Sequence, residues 1–96
     1  MKKHILKSWP EFFQGIISGI RTHELRRNDR GYQVADLMEL REFDPKTGHY
    51  TGRTCDVRVT SMTSSQIPCA VSREALHEDF CILSVRKLES PEPGDA

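Results

Sequence analysis

Four arginines, Arg21, Arg26, Arg27 and Arg30, fall within ten residues, and Thr22, Glu24, Asn28 and Asp29 are interleaved with them. A guanidinium fork suits phosphate or carboxylate oxygens, while hydroxyl, carboxylate and amide groups read hydrogen-bonding edges. If 22–27 is a strand, Thr22, Glu24 and Arg26 share one face and His23, Leu25 and Arg27 the other. The first face then carries a hydroxyl, a carboxylate and a guanidinium in a row. That set suits an anionic ligand with hydrogen-bonding groups. The plainer alternative is a solvated strand edge, its arginines paired with Glu24 and Asp29 to discourage edge-to-edge association.

Charge supports the anionic reading only in part. Residues 1–30 carry seven Lys/Arg against three Asp/Glu, so +4, and residues 31–96 carry seven against eleven, so −4. A polarised surface steers an anion to one side, but a net charge of zero does not make a general polyanion binder. Cys55, Cys69 and Cys81 are odd in number and widely spaced, which argues against a disulfide framework. Cys69, His77 and Cys81 match no standard zinc spacing and lack a fourth ligand, so no metal and no cofactor is called for.

These side chains need a frame. Ninety-six residues make one domain, expected over 1–88, followed by an acidic, proline-containing tail over 89–96 expected to be disordered. No apolar run approaches a membrane span, so no membrane partner is expected. The N-terminus begins like a secretory leader, but Lys7 and Trp9-Pro10 interrupt it and no cleavage site follows. A cytoplasmic location is therefore expected.

His4 to Lys7 reads as a first strand. Ser8-Trp9-Pro10-Glu11 fits a capping box opening a helix. Trp9, Phe12, Phe13, Ile16, Ile17 and Ile20 follow at helical spacing as a core stripe, which Gly19 ends. Further strands are expected at 22–27, 37–43, 53–60 and 80–88, with a turn-rich connection over 44–52 and a loop over 61–69. In the last two strands Cys55, Val57, Val59, Cys81, Leu83 and Val85 point inward. A short second helix capped by Ser72 fits 71–78. The sum is a small α+β domain: a five-stranded barrel closed by the N-terminal helix.

Four segments occur in an order that resembles a known family: Leu6-Lys-Ser-Trp-Pro-Glu-Phe-Phe13, Ser18-Gly-Ile-Arg-Thr-His-Glu-Leu-Arg-Arg-Asn-Asp-Arg30, Tyr32-Gln-Val-Ala-Asp36, and Leu40-Arg-Glu-Phe-Asp44 with Tyr50-Thr-Gly-Arg53. Together they resemble small bacterial and phage proteins of unknown function in the ASCH-like branch of the PUA superfamily, over roughly residues 4–88. The resemblance implies a PUA/ASCH-like β-barrel whose helix flanks an RNA-binding cleft. The family pattern is Gly-x-Lys-Thr followed by Glu-x-Arg. This chain keeps Gly19, Thr22, Glu24 and Arg26 but has Arg21 at the lysine. Where the family commonly has Val-Gly-Asp, it has Val34-Ala35-Asp36.

On that footing the first expectation is binding of RNA or a nucleotide between the first helix and the 22–27 strand. Lys7, Arg21, Arg26, Arg27 and Arg30 would meet phosphates, and Thr22, Glu24 and Asn28 would read base edges. Trp9 is a stacking candidate, but its place on the apolar stripe favours core packing. The alternative implied by some relatives is an amidohydrolase acting on an acylated nucleoside, with Arg21, Thr22 and Glu24 as its catalytic set. Arginine does not shed its proton, so Arg21 would serve only to steady an oxyanion. A third class is a phage-type inhibitor meeting a host protein through acidic residues such as Glu39, Glu42 and Asp56. A monomer or weak dimer fits all three.

Overall fold

In the computed structural model, which describes residues 1–89, strand alternation sets the frame. In β1 (Lys3–Ser8) His4, Leu6 and Ser8 turn inward while Lys3, Ile5 and Lys7 face out. The helix α1 (Pro10–Ser18) follows at once, with Pro10 in its first turn, where a missing N–H costs nothing. Gly19 ends it in the left-handed region at φ 81°, its N–H donating to Ile16 O at 3.1 Å.

Then come β2 (His23–Arg27), β3 (Leu37–Asp44), β4 (His49–Thr63), the one-turn helix α2 (Ser72–Ala75) and β5 (Phe80–Lys87). The five strands form one sheet in the order β1-β3-β4-β5-β2. Only β1 and β3 run parallel; the other pairs are antiparallel. The first part of β4 pairs with β3 and its second part with β5, and register shifts at Arg41/Phe43 and Val59/Ser61 bend it between them.

The sheet curls around Leu6, Met38, Leu40, Val57, Val59, Leu83 and Val85, and Phe13 and Ile16 of α1 pack into the same core. Cys55 and Cys81 sit in this core, where burial pushes both thiol pKa values up. The inward set expected for the last two strands is therefore observed.

Several expectations are corrected. The sheet is a half-barrel, open between β1 and β2, rather than a closed barrel. The capping box does not form: Ser8 belongs to β1, Trp9 is the N-cap, and no side chain caps α1. Pro10 at the first helical position forces that shift. Of the apolar stripe only Phe13 and Ile16 are buried and Ile17 half-buried; Trp9, Phe12 and Ile20 are exposed.

The expected connection over 44–52 is shorter, because β4 already begins at His49, and β4 runs on to Thr63 into the expected loop. Helix α2 covers four residues rather than eight. Ser72 is not its cap: its Oγ accepts from Cys69 N at 3.0 Å and donates to Cys69 O. No helix of the described residues is long and apolar enough to cross a membrane. The tail expected over 89–96 lies, past Glu89, outside the described residues.

Candidate ligand-binding cleft

The edges of β1 and β2 face each other without strand pairing. Arginines span the gap instead: Arg26 Nη2 donates to Lys7 O at 2.9 Å and Arg30 Nη1 to Ile5 O at 3.3 Å. Carbonyls two residues apart on a strand point the same way, so both guanidinium groups satisfy one free edge. Above this seam, between the start of α1 and β2, lies a cleft of about 380 Å³ lined by Lys7, Ser8, Trp9, Phe12, Arg21, Glu24, Leu25 and Arg26.

Strand alternation places the floor. Glu24 is 3% exposed and Arg26 half-buried, whereas His23, Leu25 and Arg27 face out. Glu24 Oε1 accepts two hydrogen bonds from Arg26, from Nη2 at 2.6 Å and Nε at 3.1 Å. Its Oε2 lies 3.5 Å from Arg21 Nε, an ion pair too poorly aligned to count as a hydrogen bond. Two guanidinium groups thus share one carboxylate.

The Arg21 guanidinium lies 4.8 Å from the Phe12 ring centre, and Trp9 and Phe12 stack at 6.4 Å with 19° between their planes. Gly15 makes this approach possible: a Cβ there would come 3.0 Å from Arg21 Cβ, and Arg21 N donates to Gly15 O. Trp9 remains 50% exposed and Phe12 40%. This corrects the expectation of core packing for Trp9: its ring lies on the rim of the cleft.

Among the described residues, two buried side-chain polar atoms lack a hydrogen-bond partner, Ser8 Oγ and Arg21 Nε. Both residues line this cleft.

Of the site residues expected from sequence, Lys7, Arg21, Glu24 and Arg26 come together here. The Lys7 ammonium, however, turns outward over the Phe43 ring at 4.4 Å. Thr22 is exposed and lies outside the lining, so the trio Arg21, Thr22 and Glu24 does not converge. Arg27 stacks over Phe80 at 4.9 Å and lines a separate depression with Asn28, whose backbone N donates to Asp79 O. Arg30 braces the seam.

Ser8, Phe12 and Gly15 belong to the site in addition to the residues that the sequence indicates. Their signal was available in Pro10, which moves the N-cap to Trp9 and so returns Ser8 to the strand.

Comparison with known proteins gives a family but no function. A family model described as "Domain of unknown function (DUF3850)" matches residues 3–85. An Escherichia phage P2 protein described as "Uncharacterized 12.9 kDa protein in GpA 3'region" is 32% identical over 62 residues, 65% of this chain. The match spans about half of that relative's length, 55%.

Proposed function

We propose that this chain, which belongs to the DUF3850 family of domains of unknown function, binds single-stranded RNA or a nucleotide in the cleft between α1 and β2. The observation that carries the reading is the stacked pair Trp9–Phe12, half-exposed beside two arginines. Exposed aromatic faces next to guanidinium groups are the usual platform for unpaired bases and their phosphates. The resemblance to the ASCH-like branch of the PUA superfamily supports the same assignment.

Roles then divide by position. Trp9 offers a face to a base, and Arg21 and Arg26 meet phosphate. Gly15 positions Arg21. The amidohydrolase alternative is less favoured, because Thr22 is outside the cleft and Glu24 Oε1 is already engaged by Arg26. The inhibitor alternative loses part of its acidic surface: Glu39 pairs with Lys3 and Arg41, and Glu42 is buried against Thr51.

Trp9 is the single tryptophan of the chain, so its fluorescence reports on the cleft directly. Titration with short single-stranded RNAs at low salt is expected to quench it, with affinity falling as salt rises. Arg21→Met keeps the packing on Phe12 and removes the charge. It is expected to weaken binding about tenfold, roughly 1.4 kcal/mol, and to reduce the log–log salt slope by about 0.7. Absence of quenching and of binding for every RNA tried would sink the reading.

A further inference from the structure

We infer, resting on the nucleotide-binding reading above, that the cleft is built for a terminal phosphate, the phosphomonoester of a nucleotide or of an RNA end. An internal phosphodiester fits it less well.

The first ground is the pair of unsatisfied groups. Ser8 is 4% exposed and its Oγ has no hydrogen-bond partner; Arg21 Nε is buried and makes no hydrogen bond, only the 3.5 Å ion pair with Glu24. Guanidinium nitrogen only donates, and a hydroxyl can donate too, so each calls for an acceptor. An oxyanion supplies several; a neutral base edge supplies fewer acceptors. Buried polar atoms in folded proteins are ordinarily paired, so two such atoms among the cleft's lining residues point to a partner supplied from outside.

Charge is the second ground. Arg21 and Arg26 together face one carboxylate, Glu24, which leaves one positive charge uncompensated at the floor. The N-terminus of α1 adds partial positive charge, partly offset by Glu11 in its first turn, and no side chain caps it, because the serine expected to do so belongs to β1. A phosphomonoester carries about 1.5 to 2 negative charges at neutral pH, more than a diester does. It also presents three free oxygens where a diester presents two.

The third ground is access. The floor behind Ser8 and Glu24 is closed by the guanidinium of Arg26 on Lys7 O, and further along the seam by Arg30 on Ile5 O. An internal phosphate brings chain on both sides, and the seam offers it no exit. An end enters from the rim alone, with its base on the Trp9–Phe12 stack.

The test uses the full chain and Trp9 fluorescence. The probes are a uridine hexamer with hydroxyl ends, the same hexamer with a 5′-phosphate or a 3′-phosphate, and uridine beside its 5′- and 3′-monophosphates. One phosphorylated hexamer or monophosphate is expected to bind at least tenfold more tightly than its hydroxyl counterpart. Ser8→Ala and Arg21→Met are each expected to cut that ratio below threefold, with thermal melting confirming that both variants fold. A preference confined to the hexamers assigns the ligand as an RNA end; an equal preference in the monophosphates assigns a free nucleotide. Hydroxyl-ended and phosphorylated hexamers binding equally well would overturn the inference and leave RNA binding standing. Binding of none of the probes would overturn both.

Discussion

Asp36 and Glu24 are both buried carboxylates, and their partners put them to different uses. Asp36 accepts from Lys2 N at 3.0 Å, Gln33 N at 3.0 Å and His4 Nε2 at 2.9 Å, joining the start of β1 to the turn before β3. Burial opposes its ionisation, but these hydrogen bonds outweigh burial and hold its pKa below the ordinary value. A carboxylate depressed in the fold stabilises above its unfolded pKa of about 4, and loses that contribution as pH falls through the folded value. Asp36→Asn is therefore expected to lower stability by about 2 kcal/mol at pH 7. The gap between variant and parent should shrink on acidification below about pH 4. Urea melts across pH check this, and a gap that widens in acid would refute it. Glu24, by contrast, holds two arginines at a surface cleft, which on the proposed reading sets their charge for a ligand.

At the scale of elements, departures from regular geometry are the informative places. Ala35 is the one non-glycine residue with positive φ among the described residues, at 80°. It lies where the resembled family commonly has glycine. Its backbone is held there by Ala35 N to Val59 O at 2.8 Å and Arg58 Nη1 to Ala35 O at 2.9 Å. The left-handed conformation costs alanine about 1–2 kcal/mol, and the added freedom of an unfolded glycine returns only about 0.4–1 kcal/mol. Ala35→Gly is thus expected to stabilise the fold by about 0.5–1 kcal/mol, read as a rise in melting temperature; a fall would show that the surrounding turn strains the backbone in another way. The helix stripe teaches a related lesson. Spacing identified α1 correctly, but a stripe six residues wide contains more apolar surface than the half-barrel can cover. The surplus at Trp9 and Phe12 became the rim of a cleft.

For the whole molecule, the basic segment of the sequence becomes a basic region in space because of topology. The strands β1 and β2 are last in sheet order at opposite ends, and curling brings those ends together beside α1. Of the cations in residues 1–30, Arg21, Arg26 and Arg30 therefore gather at the seam and its cleft, while Lys3 pairs with Glu39 and Arg27 lies over Phe80. Arg26 and Arg30 are structural here as well as cationic, since both close the gap between the strand edges. Arg26→Ala combined with Arg30→Ala is expected to cost about 3 kcal/mol of global stability, because it also strips the buried Glu24 carboxylate of both its hydrogen bonds. It should also speed amide exchange in β1 about tenfold relative to the centre of β4, because an unbraced edge frays first. Unchanged β1 exchange would show that pairing with β3 alone holds that strand.

Local sequence sets the α+β class, α1 with its Gly19 stop, the inward sets of β4 and β5, and the alternation that turns Glu24 and Arg26 away from His23 and Leu25. These are local properties: side-chain period, proline and glycine geometry, and charge are carried by neighbouring residues. Long-range packing sets the rest: the barrel stays open, Arg26 and Arg30 span the opening, Arg27 and Asn28 lie elsewhere, and Ser8 and Arg21 line one cleft with polar atoms that make no hydrogen bond. Each of those depends on how far the sheet curls and where α1 docks. Both are set by packing between residues far apart in the chain, which no periodicity records.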